Sequence, residues 1–236
     1  MTPHQPLRRR LATPSAPPEK YRGKPWRSRW VLTLLLLAVA PVSALAEPLT
    51  FKVLSYSRAT FKTEAPLETV IGNTSGPGVS GSVTGDPARP QGATGTIRVD
   101  LTTVKTGIDR RDAQMLGKEF LDTQNGENRF AVFDLKEVGI DGPLDPGKEM
   151  TAKLWGTLTI KGRPVEITAD ARITYLKLTP EQLETQKRFG FTSDNMRVTA
   201  RFRTSFTNHG MQVPQVLFLK LSNDIQLEVD LTMARQ

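Results

Sequence analysis

The chain has 236 residues, of which 38% are hydrophobic, and this is enough for one sizeable core, so we expect one globular domain and a leader. It contains no cysteine, which excludes disulfides, thiolate metal sites and a cysteine-linked lipid. The net charge of +8 is typical of proteins that bind nucleic acid or an anionic membrane surface, but residues 1–30 hold eight Lys/Arg and one Glu, leaving 24 bases against 23 acids elsewhere. We therefore expect no nucleic-acid partner.

Residues 1–46 have the pattern of a secretory signal peptide. A basic region, 1–30, precedes an apolar run, 31–40, and the small-residue site Ala44-Leu45-Ala46 predicts cleavage after Ala46. The alternative is an uncleaved anchor, but an apolar run of ten residues is shorter than the ~20 residues that span a membrane. We expect a mature domain at 47–236 that is periplasmic or secreted.

Alternation of apolar and polar residues dominates from Leu49 onward, and it predicts strands with one buried and one solvated face. Gly, Pro, Asn and Asp punctuate these runs, so about eight strands should form an antiparallel all-β architecture. The Gly-rich stretch 72–96 predicts a loose hairpin or a bulged strand pair rather than a linker. The alternating stretches are 49–55, 58–64, 96–101, 130–137, 153–160, 163–175, 197–206 and 224–233.

Two short helices are predicted. In 179–189, Thr179 is placed to cap, Pro180 fits the first helical position and Gln182 completes a capping box. In the second, Asp109 stands at an N-cap position and Asp112 is spaced to return a bond to the Asp109 amide. This second helix should end near residue 120.

Arg110 and Arg111 lie between these two aspartates. Each arginine can stay in solvent, lie across an aromatic ring, or bind an anion at the helix N-terminus. Structural capping and anion binding therefore both remain open for this segment.

The inventory of reactive residues is small. His209 is the one histidine of residues 47–236, and its turn-like setting favours a surface residue over a metal ligand. Glu166 and Asp170 fall on the polar side of a strand, which favours a solvated face over a catalytic carboxylate pair. We assign no catalytic residue and no metal site, and we do not expect an enzyme.

Small residues interrupt the apolar side of the predicted sheet, at Gly156, Ala169, Ala171 and Ala200. A closed barrel of about eight strands is either filled by its own side chains or holds one small ligand, and small inward residues favour the ligand. The alternative is that these residues only accommodate packed helices or a strongly coiled sheet.

Several motifs occur together in a recognisable order. TGIDRRD (106–112) is followed by EFLD (119–122), FAVF (130–133) and WGTLTIKGRPVEI (155–167), and the chain closes with SFTNHGMQVP (205–214) and LSNDIQLEVDLTM (221–233). This order resembles the YceI family of secreted, lipocalin-like polyisoprenoid-binding proteins over roughly residues 49–236.

The resemblance implies an extended eight-stranded antiparallel lipocalin-like barrel with one or two short helices. It implies a long-chain ligand in an apolar pore, such as a polyisoprenoid, an isoprenoid quinone or a fatty acyl lipid, for transport or sequestration without another cofactor. Arg110 and Arg111 are the head-group candidates. From the alternation we expect these residues to line the pore: Phe51, Val53, Val99, Leu101, Phe133, Leu135, Leu158, Ile167, Ala169, Ala171, Ala200 and Phe202.

The alternative function is a solid barrel that acts as an interaction module, such as an accessory subunit of a membrane redox protein. Its contacts would come from the segments 72–96 and 178–195. The sequence does not specify an oligomeric state.

Overall fold

The computed structural model describes residues 47–216 and 219–236. The predicted signal peptide, residues 1–46, lies outside this part of the chain, and its cleavage stays a prediction. Within the described residues, no helix is both long and apolar enough to span a membrane.

Strands make up most of the described chain, and two short α-helices interrupt them. Single 3-10 turns lie at Leu101–Thr103, Gly126–Asn128, Lys187–Phe189 and Thr207–His209. The helices are α1 (Asp109–Leu116) and α2 (Pro180–Gln186). The strands are β1 (Leu49–Val53), β2 (Arg58–Ala65), β3 (Glu68–Thr74), β4 (Val79–Asp86), β5 (Arg89–Asp100), β6 (Val104–Lys105), β7 (Phe130–Gly139), β8 (Glu149–Ile160), β9 (Arg163–Lys177), β10 (Asp194–Ser205), β11 (Gln215–Val216), β12 (Leu219–Lys220) and β13 (Asp224–Arg235).

Eight of the strands close into an antiparallel barrel in the order β1-β4-β5-β7-β8-β9-β10-β13. The ring closes because β13 also pairs with β1, with Phe51 opposite Arg235 and Val53 opposite Met233. The predicted fold class, an all-β barrel of eight antiparallel strands with short helices, is confirmed.

The last strand, β13, contributes to two parts of the wall. Its C-terminal end pairs with β1, whereas Gln226–Asp230 pair with the start of β2. β2 continues into β3, and β3 pairs with the two-residue strand β6. The β2–β3 hairpin therefore extends the wall at the end of the barrel from which α1 follows.

Side chains alternate in and out of the barrel as the sequence pattern predicts. On β8 and β9 the buried Leu154 faces Ala169, while on the outer surface Lys153 pairs with Asp170. Glu166 is likewise exposed and accepts a hydrogen bond from Lys136. Both carboxylates lie on the solvated face, as expected. Such exposed pairs contribute little to stability.

The stretch 72–96 forms most of the β4–β5 hairpin, whose register shifts between Thr84 and Asp86. The predicted bulged strand pair is confirmed. A Cβ on Gly81, whose φ is +128°, would lie 2.1 Å from the carbonyl oxygen of Thr96, so this close pairing requires glycine. Most of this stretch therefore belongs to the barrel wall and is not a free loop, and its part in a partner contact stays a prediction.

Helix α2 begins as predicted. The Thr179 hydroxyl oxygen accepts from the Gln182 amide at 3.3 Å, and the Gln182 side-chain oxygen accepts from the Thr179 amide at 3.0 Å. Pro180 occupies the first helical turn. The capping box is confirmed.

The predicted cap of α1 is wrong. The N-cap is Ile108, which has no side-chain capping bond, and Asp109 is the first helical residue. Gly107, with a φ of +84°, turns the preceding chain back over the helix, so the Asp112 carboxylate accepts from the amide and the hydroxyl of Thr106, at 2.8 and 2.6 Å. The helix ends at Leu116, one turn earlier than predicted.

Candidate functional site

Two apolar cavities lie in the part of the barrel lumen that the structure describes. The outer cavity lies at the α1 end and has a volume of about 150 Å³. Its wall combines strand residues with side chains from α1 and from the segments that follow α1 and β10. Among its lining residues are Phe61, Leu101, Met115, Phe120, Leu121, Ile160, Phe206, Met211, Leu221 and Leu227.

The inner cavity is smaller, with a volume of about 90 Å³. The β4–β5 turn and the β7–β8 loop cover its far end, where the Leu144 amide donates to the Pro87 carbonyl at 2.8 Å and the Gln91 side chain donates to the Ile140 carbonyl at 2.9 Å. Its lining residues include Phe51, Val83, Ile97, Leu135, Leu154, Ala169, Met196, Ala200, Leu231 and Met233.

Two phenylalanine rings lie where the two halves of the core meet. Phe133 on β7 and Phe202 on β10 stack with 6.1 Å between ring centroids and 27° between ring planes. β8 and β9 separate these two strands in the barrel, so the rings reach each other across the lumen. Both border the inner cavity and also pack against the core around the outer cavity. The pair therefore lies between the two cavities.

The twelve predicted lining residues are all buried or half-buried members of the core. Seven border a cavity: Leu101 the outer one, and Phe51, Phe133, Leu135, Ala169, Ala200 and Phe202 the inner one. The other five pack within the core around the lumen: Val53, Val99, Leu158, Ile167 and Ala171.

Much of the outer cavity wall was not predicted. Phe206, Met211 and Pro214 follow β10 in a turn and an irregular segment, where alternation carries no information. Phe120 and Leu121 also follow a helix rather than a strand. Their only sequence signal is the apolar side of the predicted second helix.

The two head-group candidates occupy different positions. Arg111 borders the outer cavity, where its Nε donates to the Thr106 hydroxyl at 3.0 Å and one terminal nitrogen donates to the Glu68 carboxylate. The other terminal nitrogen donates to the Thr106 carbonyl at 3.3 Å. Arg110 is exposed on α1 and does not border the cavity. Gln114 is a further polar side chain at the same cavity.

Asp112 fixes the position of Thr106, which in turn accepts a hydrogen bond from Arg111 at the outer cavity. Its side chain is 3% exposed. Burial raises the pKa of the carboxyl. The hydrogen bonds from Thr106 and the positive charges of Lys105 and Arg111 together lower the pKa by more than burial raises it, so the pKa lies below its usual value. The carboxylate is therefore ionised at neutral pH and remains an acceptor for Thr106.

His209 is not a surface residue, contrary to expectation. The 3-10 turn folds the ring into the protein, where it is fully buried between the Thr204 hydroxyl, 2.8 Å from Nε2, and the Arg163 carbonyl, 3.2 Å from Nδ1. Loss of hydration lowers the pKa of the imidazole despite the bond to Arg163. Among the described residues no three potential ligand side chains are grouped for a metal ion.

The buried imidazole predicts a pH dependence of stability. Because its folded-state pKa lies below the unfolded value of about 6.5, the unfolded chain takes up the proton first, and stability falls as pH drops below about 6.5. Between pH 8 and pH 5.5, the free energy of unfolding measured with urea should fall by roughly 1 kcal/mol in the wild-type protein, and this fall should be absent in His209→Gln. An equal loss in that variant would contradict this assignment.

Comparison with known proteins identifies the fold. The model of a family described as YceI-like domain matches residues 52–233. No curated protein matches the sequence significantly.

Solved structures with the same fold include BcnA of Burkholderia cenocepacia, at 15% identity and a TM-score of 0.55, covering 75% of this chain and 95% of that one. A polyisoprenoid binding domain from Saccharophagus degradans, implicated in plant cell wall breakdown, is 15% identical with a TM-score of 0.57, covering 80% and 100%. The YCEI protein of Campylobacter jejuni is 18% identical with a TM-score of 0.54, covering 72% and 86%.

Proposed function

The chain belongs to the YceI-like domain family, and we propose that it binds a long-chain amphiphile in the barrel lumen without catalysing a reaction. The ligand would be a polyisoprenoid, an isoprenoid quinone or a fatty acyl lipid, carried or sequestered in the periplasm or outside the cell. The observation that carries this proposal is the pair of apolar cavities along one lumen. The Saccharophagus domain, which shares the fold, is described as polyisoprenoid binding.

The character of the walls supports an alkyl or prenyl chain. Each buried methylene contributes ~0.8 kcal/mol, so ten would contribute ~8 kcal/mol before the costs of ordering the chain and the protein. Met115 and Met211 at the outer cavity, and Met196 and Met233 at the inner one, have flexible side chains that can adapt to an occupant.

The distribution of polar groups gives the ligand a direction. Arg111, Gln114 and Thr106 border the outer cavity. The inner cavity is lined by apolar residues apart from Asp86, whose carboxylate accepts hydrogen bonds from Arg89. The three bonds of Arg111 use three of its five guanidinium hydrogens, which leaves donors for a ligand oxygen. The head group therefore lies at Arg111 and the chain points toward the inner cavity.

Titration with cis-parinaric acid, a fluorescent fatty acid, tests the function and this orientation together. We expect enhanced fluorescence on binding to the wild-type protein. Arg111→Met should weaken binding of the carboxylate at least about tenfold, because a charge-assisted hydrogen bond contributes ~1.5–3 kcal/mol. The Glu68 carboxylate, which loses its partner, would repel the anionic head group and add to this loss.

Arg110→Met is the matched control, since it removes the same charge from the same helix at a position that does not border the cavity. Its affinity should stay within about twofold of the wild-type value. No fluorescence enhancement in the wild-type protein would contradict ligand binding itself. Equal effects of the two substitutions would contradict the head-group position alone.

The alternative function, an interaction module, is favoured by one surface. Tyr56 and Phe189 are 50% and 48% exposed, and the ring of Tyr56 stacks on Phe191 with centroids 6.2 Å apart. Phe189 and Phe191 belong to the predicted contact segment 178–195. This function would be supported if a membrane redox protein were captured from membranes by the wild-type protein but not by a Tyr56→Ser, Phe189→Ser variant.

A further inference from the structure

We propose that the stacked rings of Phe133 and Phe202 set a minimum chain length for access to the inner cavity. The proposal rests on the proposed function and adds a selection step to it. A chain that ends at the ring pair fills the outer cavity only, whereas a longer chain separates the rings and extends beyond them.

The position of the rings leads to this division. They come from strands on different sides of the lumen and meet with 6.1 Å between centroids, so they occupy the space through which a chain would pass. Cavity space lies on both sides: Leu101 and Ile160 border it toward α1, and Ala169 and Ala200 border it toward the closed end.

One ring is held more firmly than the other. The Phe133 ring packs into the gap left by Gly156 on β8, where an added Cβ would lie 2.6 Å from the ring. Phe202 is half-buried, as Phe133 is, but it lies at the margin of both core clusters, whereas Phe133 packs against one of them. We therefore assign the movement that opens the lumen to Phe202.

The energetics give a threshold rather than a block. Separating a stacked pair of aromatic rings lowers the affinity of the chain that separates them by up to about tenfold, beyond the effect of the area that the pair buries. Each buried methylene raises affinity about fourfold. The first one or two methylenes beyond the rings only offset the lost stacking, and further methylenes increase affinity.

A series of saturated fatty acids from octanoic to eicosanoic acid, each competing with cis-parinaric acid, tests the proposal. For the wild-type protein we expect affinity to rise with length, to change by less than about twofold over one step of two methylenes, and then to rise again. In Phe202→Ala the interruption should disappear, with each step of two methylenes raising affinity about fifteenfold. Phe202→Leu, which keeps more of the packing volume but cannot stack, should behave in the same way and guards against a folding defect in the alanine variant.

Phe189→Leu is the matched control because its ring is exposed and lies outside the barrel. It should keep the interruption. An uninterrupted rise in the wild-type protein, or the same interruption in both Phe202 variants, would overturn the length threshold while leaving ligand binding intact. If the wild-type protein bound no fatty acid of any length, the proposed function would fail and this proposal with it.

Discussion

Ala169→Trp should remove the part of ligand binding that depends on the inner cavity. Ala169 is 1% exposed and borders that cavity, where an indole in place of a methyl group would take up most of the about 90 Å³. We expect the affinity for eicosanoic acid to fall at least tenfold, because several buried methylenes are lost at ~0.8 kcal/mol each. Octanoic acid, which would fill the outer cavity only, should be affected little.

Thr168→Trp is the control for this substitution, since Thr168 is the exposed neighbour on the same strand. It should bind both fatty acids like the wild-type protein. Circular dichroism should remain β-rich in both variants. Equal uptake of eicosanoic acid by Ala169→Trp and Thr168→Trp would mean that Ala169 does not face the occupied part of the lumen.

Asp112→Ala should lower the free energy of unfolding more than Asp109→Ala does. The carboxylate accepts two hydrogen bonds from Thr106, and its removal leaves a backbone amide without that partner in a largely buried place. We expect the free energy of unfolding to fall by about 2–3 kcal/mol, measured by urea unfolding. Because Thr106 also accepts from Arg111, binding of cis-parinaric acid should weaken as well.

Asp109→Ala separates this account from a conventional helix cap. Asp109 is exposed in the first turn, and its substitution should cost less than about 1 kcal/mol through the helix dipole alone. If Asp109→Ala destabilised the protein more than Asp112→Ala, a capping role for Asp109 would be correct and the anchor at Thr106 would be minor.

The architecture was accessible from sequence because the pattern that encodes it is local. Alternation along 163–175 and 224–233 places alternate residues on opposite faces of a strand whatever the neighbouring strand is. The capping box at Thr179 was equally local, since spacing alone brings Gln182 within reach of the cap.

The errors occurred where a tertiary contact decides the outcome. The spacing of Asp109 and Asp112 matched a capping box, but the turn at Gly107 gave Asp112 two donors from Thr106 instead. His209 has a turn-like sequence, and its burial depends on Arg163 and Thr204, of which Arg163 is distant in the chain.

The lining of the lumen was predicted only in part for a related reason. Alternation identifies the inward face of a strand, but it does not tell which inward residues border empty space. Ala169 borders the inner cavity, whereas Ile167, two residues earlier on the same face, packs within the core. The outer cavity depends on segments outside the regular strands, such as 206–214, where no period exists to be detected.

The most direct test of the central claim is a chemical analysis of the protein as purified. The full chain is produced in a bacterium with a periplasm, extracted with organic solvent, and the extract is examined by mass spectrometry. We expect one class of long-chain amphiphile in near one-to-one proportion to wild-type protein and to Thr168→Trp, and its depletion in Ala169→Trp. Wild-type protein free of any such amphiphile, or equal amounts from all three proteins, would contradict a ligand held in the lumen.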